Sequence, residues 1–230
     1  HHKILYRDLL NPVDFFKGGE ETQLSKFWPY VFGGGMDLKS SEVEKYSDLM
    51  SESQHLVAAD TLAAVNIPSV CRFLDVGGGK GTFVSELKKI YPKVDAAVFD
   101  LPGSHKETSG HRCIIGSFKE DELPAGYDII SLVRILYDHR DETIKDLLGK
   151  AYSALGNGGR LIVSEPMLGA DRPTLWGDVY FAMYTLAMST GKTRSPDQVY
   201  RFIKDAGFSD VKIHKSARPF ITTVIEARKT

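Results

Sequence analysis

The stretch Phe73-Leu74-Asp75-Val76-Gly77-Gly78-Gly79-Lys80-Gly81-Thr82-Phe83 decides the fold of this chain. It reads as an apolar strand, a glycine turn and the start of a helix. Glycine carries no side chain, so the backbone can turn sharply there and a ligand can lie directly against it. In open α/β sheets a turn of this kind, at the carboxyl end of a strand, is where nucleotide-like ligands sit. The spacing is G-x-G-x-G, on glycines 77, 79 and 81. It differs from the G-x-G-x-x-G of dinucleotide folds. It differs from a P-loop as well, because Lys80 is followed by Gly81 and not by Ser or Thr. A second acid, Asp100, closes the next apolar run, Val94-Asp95-Ala96-Ala97-Val98-Phe99-Asp100. A carboxylate at such a strand end can accept hydrogen bonds from both hydroxyls of a ribose. Strand, D-x-G-x-G-x-G, helix, strand and terminal acid together point to a nucleoside-cofactor site.

Outward from that site, alternation organises the chain. Strands are expected near 71–76, 94–100, 112–115, 127–133 and 159–165, with helices near 80–90 and 140–155 between them. Gly158-Gly159 reads as the turn into the fifth strand. Helices near 174–189 and 196–206 follow, and runs near 209–215 and 219–227 close the chain as an antiparallel hairpin. Such alternation implies an α/β fold with a doubly wound, mostly parallel sheet and an antiparallel C-terminal edge. Ahead of it, residues 3–33 look helical and aromatic. Gly33-Gly34-Gly35 interrupts them, and an amphipathic helix is expected from about Ser41 to Val65, with Leu49, Leu56, Ala59 and Leu62 at helical spacing. We therefore divide the chain into a helical linker or lid segment, 1–66, and a cofactor-binding catalytic domain, 67–230.

Composition narrows the function. At 230 residues and 42% hydrophobic, the chain suits one sizeable domain with some extra helix. The formal net charge of −1, with mixed signs, offers no basic face for nucleic acid. Cys71 and Cys113 lack metal or disulfide spacing and read as buried free thiols in a reducing compartment, which favours a cytoplasmic setting; no metal site is expected. No apolar run approaches the ~20 residues of a membrane span, and no segment reads as a signal peptide.

The order of glycine turn, ribose acid and two-strand ending resembles the class I S-adenosylmethionine-dependent methyltransferases, over about residues 71–227. More narrowly, Leu74–Gly81, Phe99-Asp100-Leu101-Pro102, the helix entry at Asp138–Glu142 and Gly159–Pro166 resemble the plant-type and hydroxyindole O-methyltransferases. Three further runs are similar to the carotenoid tertiary-hydroxyl O-methyltransferases of photosynthetic bacteria, which act on demethylspheroidene or hydroxyneurosporene. They are Phe27–Gly33, Val133-Arg134-Ile135-Leu136-Tyr137-Asp138-His139 and Ala187–Lys192. That family normally carries an N-terminal winged-helix dimerisation domain, so the resemblance implies the catalytic part of a longer protein that is a homodimer at full length.

The resemblance implies S-adenosylmethionine as cofactor, with Asp75, Gly77 and Gly79 at its methionine end, Asp100 at the ribose and Leu101 against the adenine. Ser117 stands where the family often has aspartate, Phe118 would cover the ring, and Arg134 would sit near the cofactor. Phe118 could instead be core, and Arg134 a structural ion-pair partner. The family's general-base histidine lies in an apolar-His-Asp-Trp motif. Here the aligned run is Leu136-Tyr137-Asp138-His139, so Tyr137 replaces the base. The second acid that the family has after a Gly-Lys pair is also missing, since the chain reads Gly191-Lys192-Thr193-Arg194; only Glu165 matches the paired acids. A neutral tyrosine, with a pKa near ~10, is a poor base at pH 7. Tyr137, Asp138 and Glu165 are therefore the catalytic candidates, by positioning with late proton loss, and His139 reads as a helix-start surface residue.

Trp176, Tyr180 and Tyr184 recur every four residues, with Met183 nearby, and share one helical face. With Trp28 they are the candidate lining for a long apolar substrate, although such a stripe also suits a core. The resulting expectation is O-methylation of a tertiary hydroxyl on an acyclic carotenoid of the spheroidene/spirilloxanthin type, with peripheral membrane contact. The alternatives are a bacteriochlorophyllide C-methyltransferase, a non-catalytic cofactor-binding subunit and an NAD-dependent oxidoreductase.

Overall fold

A computed structural model describes residues 2–18, 21–27, 53–102, 104, 111–169 and 172–230. Seven strands form one sheet: β1 (Arg72–Val76), β2 (Asp95–Asp100), β3 (Arg112–Ile115), β4 (Tyr127–Val133), β5 (Leu155–Glu165), β6 (Ser209–His214) and β7 (Thr223–Arg228). Their order is β3-β2-β1-β4-β5-β7-β6. The first five are parallel to one another, and β7 runs antiparallel to both β5 and β6. The order reverses between β1 and β4, which opens a crevice at their carboxyl ends.

The central strands β1, β2, β4 and β5 are buried on both faces, as parallel strands under helices are, and so read as largely continuous apolar runs. Alternate residues feed two separate cores. Phe73, Val98, Ile129 and Ile162 face α4 (residues 53–64) and α5 (Thr82–Ile90), where they meet Val57, Leu62, Phe83 and Leu87. Leu74, Ile130, Leu132 and Leu161 face α6 (Asp141–Ala154) and α8 (Pro196–Asp205), where they meet Ile144, Leu147, Leu148 and Ile203. On α6 the buried set 144, 147, 148 and 151 has the 3.6-residue period of one helical stripe. A capping box starts α8: Gln198 N–H donates to Ser195 Oγ (3.3 Å) and Ser195 N–H to Gln198 Oε1 (3.0 Å).

A third cluster sits above the carboxyl end of the sheet. There α1 (His2–Asp8) and α3 (Gln23–Phe27) bring Leu5 and Leu24 against Tyr137, Tyr184, Ala187 and Met188. The short α2 (Pro12–Lys17) lies between those helices in sequence.

Several expected boundaries move. The fifth strand starts at Leu155, because Tyr127 pairs with Leu155 before a register shift, and Gly158 (φ +78°) turns within the strand. The last strand starts at Thr223, because 218–222 fold into a turn closed by Ile221 N–H on the Arg218 carbonyl (2.8 Å). The single helix expected at 174–189 is a π-helix, Leu175–Phe181, followed by α7, Ala182–Met188, which Ser189 ends at φ +65°. Of the helix expected from Ser41, residues 53–64 are helical; Leu49 and Trp28 lie outside the described residues. Cys71 is buried as expected, whereas Cys113 is half-buried on edge strand β3.

Candidate active site

The glycine turn follows β1 directly. Gly77 (φ +69°) and Gly79 (φ +55°) occupy the left-handed region, which side chains other than glycine rarely adopt, and the space over Gly79 is open. Gly77 N–H donates to the Phe99 carbonyl (2.8 Å), which ties the turn to β2. Asp100 stands beside it at the end of β2, half-buried, accepting the N–H groups of Gly79 and Leu101 on its two oxygens, both at 2.6 Å. Its carboxylate is thereby fixed at the lip of the turn.

Asp75 lies beneath the turn and is almost wholly buried. Ser131 Oγ donates to its Oδ1 at 2.6 Å, across the register pair Asp75–Ser131 of β1 and β4. Its Oδ2 is buried without a hydrogen-bond partner among the described residues. Burial and the nearby Asp100 raise this carboxyl to about 7 against the Ser131 hydrogen bond. A cationic or hydrogen-bond-donating ligand group in the crevice would relieve that penalty. An open glycine cradle, an orphaned buried carboxylate oxygen and a fixed lip carboxylate together suit a nucleoside cofactor with an amino-acid end. Leu101 and Phe118 are half-buried near it, and Phe118 makes an edge contact with His139 (5.2 Å). Ser117 N–H donates to Asp121 (2.8 Å), which shapes the β3 exit.

At the end of β4 the chain enters a 3₁₀ turn, Leu136–Asp138, through Arg134 at φ +59°. A non-glycine residue there is strained, and such strain persists only where surrounding contacts enforce it. Two contacts do so: Arg134 N–H donates to the Ser164 carbonyl (2.9 Å) and its Nη1 to Ser53 Oγ on α4 (2.8 Å). The Tyr137 hydroxyl also lies in the field of the Asp138 carboxyl, which opposes its ionised form, and of the Arg134 guanidinium, which favours it. Arg134 thus anchors the 136–138 turn to both β5 and α4.

Tyr137 is 2% exposed, and burial pushes its hydroxyl pKa upward, further from a role as base. Asp138 is also buried; desolvation first, then Glu165, raise its carboxyl well above the usual range, and its Oδ1 lacks a hydrogen-bond partner among the described residues. Glu165, at the end of β5, accepts the N–H groups of Ile135 (2.8 Å), Leu136 (2.7 Å) and, more weakly, Tyr137 (3.5 Å). Burial raises it to about 7 despite those bonds. It holds the turn that presents Tyr137. His139 is no surface residue: it is 9% exposed, and burial, with Lys119 and Arg194 nearby, lowers its pKa to about 3.

The aromatic stripe divides. Tyr184 is buried and stacks on Tyr137 (6.2 Å) and on Tyr180 (6.5 Å). Met183 and Tyr180 are half-buried, while Trp176 is exposed and meets Phe220 (6.1 Å). The stripe therefore runs from the surface to the Leu136–Asp138 turn.

Arg194 was not among the expected site residues. Its side chain is 3% exposed; Nη1 donates to the carbonyls of Leu136 (3.0 Å) and Lys192 (2.8 Å), and Nη2 to that of His139 (2.8 Å). It also holds Asp141 at 2.6 Å. The signal was an arginine beside the Gly191-Lys192 pair, two residues before a helix N-terminus, where a buried cation can collect carbonyls. Ser131 was missed too, although a lone polar residue inside an apolar strand, in register with Asp75, marks it.

A doubly wound sheet closed by an antiparallel β5-β7-β6 edge, with a glycine cradle and strand-end acids at its crevice, is the class I methyltransferase fold. Residues 6–209 match the O-methyltransferase domain family, and the chain belongs to it. Demethylspheroidene O-methyltransferase of Rhodobacter capsulatus is 47% identical over 235 aligned residues, covering 100% of this chain and 59% of that protein. The demethylspheroidene O-methyltransferase of Cereibacter sphaeroides is 44% identical, over 99% of this chain and 62% of that protein. The chain thus spans about three-fifths of the length of these relatives. Human N-acetylserotonin methyltransferase, solved in complex with SAM, superposes with a TM-score of 0.75 at 28% identity, over 83% of this chain and 56% of that one.

Proposed function

We propose that this chain is the catalytic part of an S-adenosylmethionine-dependent O-methyltransferase acting on a tertiary hydroxyl of an acyclic carotenoid of the spheroidene/spirilloxanthin type. The observation that carries this reading is the 47% identity to a demethylspheroidene O-methyltransferase along the whole chain. S-adenosylmethionine, when bound, supplies a methyl carbon already activated on a sulfonium. Asp75 and the Gly77–Gly79 turn would hold its methionine end, Asp100 its ribose, and Leu101, Ser117 and Phe118 its adenine.

The protein's part is chiefly placement. Correct orientation of a nucleophile can by itself supply much of a barrier reduction, roughly 7–11 kcal/mol at best. The Tyr137 hydroxyl is buried in the field of Arg134 and Asp138. A protonated phenol there accepts from, or donates to, a substrate alcohol and fixes its lone pair. The substrate proton would leave late, to Tyr137, Asp138 or water; Asp138 Oδ1 has no hydrogen-bond partner among the described residues. Glu165 and Arg194 keep the turn in place. Tyr180, Met183 and Tyr184, together with Trp176 and Trp28, would wall the polyene. Residues 1–66 would form a lid over the catalytic domain 67–230, and the full-length protein would be a cytoplasmic homodimer touching membranes peripherally.

Labelled methyl transfer by the full-length protein, offered hydroxylated acyclic carotenoids and bacteriochlorophyllides in parallel, tests this reading. Product on the carotenoid hydroxyl is expected. Transfer to the bacteriochlorophyllide alone would replace the substrate assignment, and no transfer to either would remove it.

A further inference from the structure

We infer that the exposed apolar ledge formed by the π-helix and the β6–β7 turn docks on an anionic lipid bilayer and opens the substrate path onto it. On the π-helix, Leu175 is 79% and Val179 48% exposed; Trp176 beside them meets Phe220, itself 48% exposed, from the 215–222 turn. Both segments leave the sheet at the same end as the catalytic turn, since Glu165 at the end of β5 pairs with Thr223 at the start of β7. Four large apolar side chains gathered in one exposed place are unusual on a soluble surface and mark a contact site.

Two observations select a bilayer as the occupant. The first is charge. Arg172 and Lys215 are exposed beside the ledge; Asp171 precedes Arg172 in sequence, while the 211–225 stretch carries Lys212, Lys215 and Arg218 and no acidic residue. Asp178, the acid on the π-helix, is turned onto the N–H groups of Gly169 (2.9 Å) and Thr174 (2.6 Å). The chain as a whole carries −1, so the basic rim is local. A tryptophan among aliphatic side chains with a basic rim matches the interface of an anionic membrane. The second is continuity. Trp176 lies one helical turn from Tyr180, and the stacked rings of Tyr180, Tyr184 and Tyr137 lead from there to the buried hydroxyl. A polyene that is insoluble in water can pass along such a wall from the lipid phase without crossing solvent. The lipid contact deepens the peripheral membrane contact proposed above, and that last step rests on the carotenoid reading.

Co-sedimentation of the full-length protein with substrate-free phosphatidylcholine–phosphatidylglycerol vesicles tests the ledge. Binding is expected to weaken on phosphatidylcholine alone and at high salt. It should fall about tenfold or more in Leu175→Ser/Val179→Ser, and to a similar extent in Arg172→Glu/Lys215→Glu. Calorimetric affinity for S-adenosylhomocysteine should be unchanged in both variants, which shows that they are folded. Wild-type protein that ignores the vesicles, or variants that bind them as wild type does, would overturn the inference. So would variants that dissociate into monomers while the wild type fails to sediment, because the ledge would then be a protein interface. Methyl transfer to carotenoid in detergent micelles is measured in parallel: its failure in the wild type removes the substrate assignment and leaves the vesicle result standing.

Discussion

The carboxylate of Glu165 lies behind the backbone of Leu136 and takes its N–H at 2.7 Å. One oxygen thus serves both Leu136 and Ile135, and the strand end of β5 dictates where the turn after β4 goes. Replacing Glu165 with Gln keeps one acceptor oxygen but removes the charge. Turnover is expected to drop about tenfold, or ~1.4 kcal/mol, through a less well held Tyr137, with cofactor affinity nearly unchanged. Steady-state kinetics beside calorimetry would show it. A loss of both together would mean that Glu165 touches the cofactor site.

The same residue should leave a signature in stability against pH. Its folded-state pKa is about 7, above the ordinary 4.5, so the folded state holds a proton that the unfolded chain has released. Glu165 therefore costs nothing below pH 4.5, and destabilises increasingly as pH rises through about 7, by up to about 3 kcal/mol. His139 acts at the other end. Its folded pKa, about 3, lies below the ordinary 6.5, so its contribution is complete above 6.5 and is lost as pH falls toward 3, at up to ~1.4 kcal/mol per pH unit. Urea titrations across pH should show Glu165→Gln flattening the neutral side and His139→Gln flattening the acid side; parallel curves would contradict both assignments.

Tyr137→Phe removes a buried hydroxyl in the field of Arg134 and Asp138 while keeping the ring stacked on Tyr184. If that hydroxyl orients the substrate alcohol, turnover falls modestly, on the order of tenfold. A loss of about a thousandfold with intact substrate binding, within the general-base range, would make Tyr137 the essential proton acceptor instead.

Asp100→Ala frees the N–H groups of Gly79 and Leu101 and removes the proposed ribose acceptor. Affinity for S-adenosylmethionine should weaken by roughly 1–3 kcal/mol. Unchanged affinity by calorimetry would place the ribose elsewhere.

Arg194→Met would strip three carbonyls and Asp141 of their shared donor in a buried setting. We expect about 1–3 kcal/mol of lost stability, the scale of leaving buried acceptors without a donor, because Asp141 is a third exposed and stays solvated. Denaturant unfolding checks this, and a change under ~1 kcal/mol would show that water replaces the guanidinium.

How much of this was readable beforehand depends on range. Phe73 and Leu74 announce a doubly buried strand by their neighbours alone, and the positive φ of Gly77 and Gly79 is implicit in their lack of a side chain. Tyr137 stood out because a motif position held an unexpected residue. Contacts between residues far apart in sequence were not readable. Nothing near Glu165 announces that it caps a turn 29 residues earlier, and the local signal at Arg194 does not say that the carbonyls it collects are those of 136 and 139. His139 looked like a surface residue because it precedes a helix. It is buried because Phe118, from the exit of β3, packs against its ring. The 175–181 segment was periodic enough to be read as a helix, but spacing could not distinguish a π from an α path.

The placement of β7 between β5 and β6 bears on how the molecule is made. On a chain that emerges in sequence order, β6 appears before the only described strand it can pair with, and β5 waits with an open edge until Thr223 and its successors arrive. Sheet completion is thus a late, long-range event, of the kind that slows folding and leaves a strand edge accessible to other chains during synthesis.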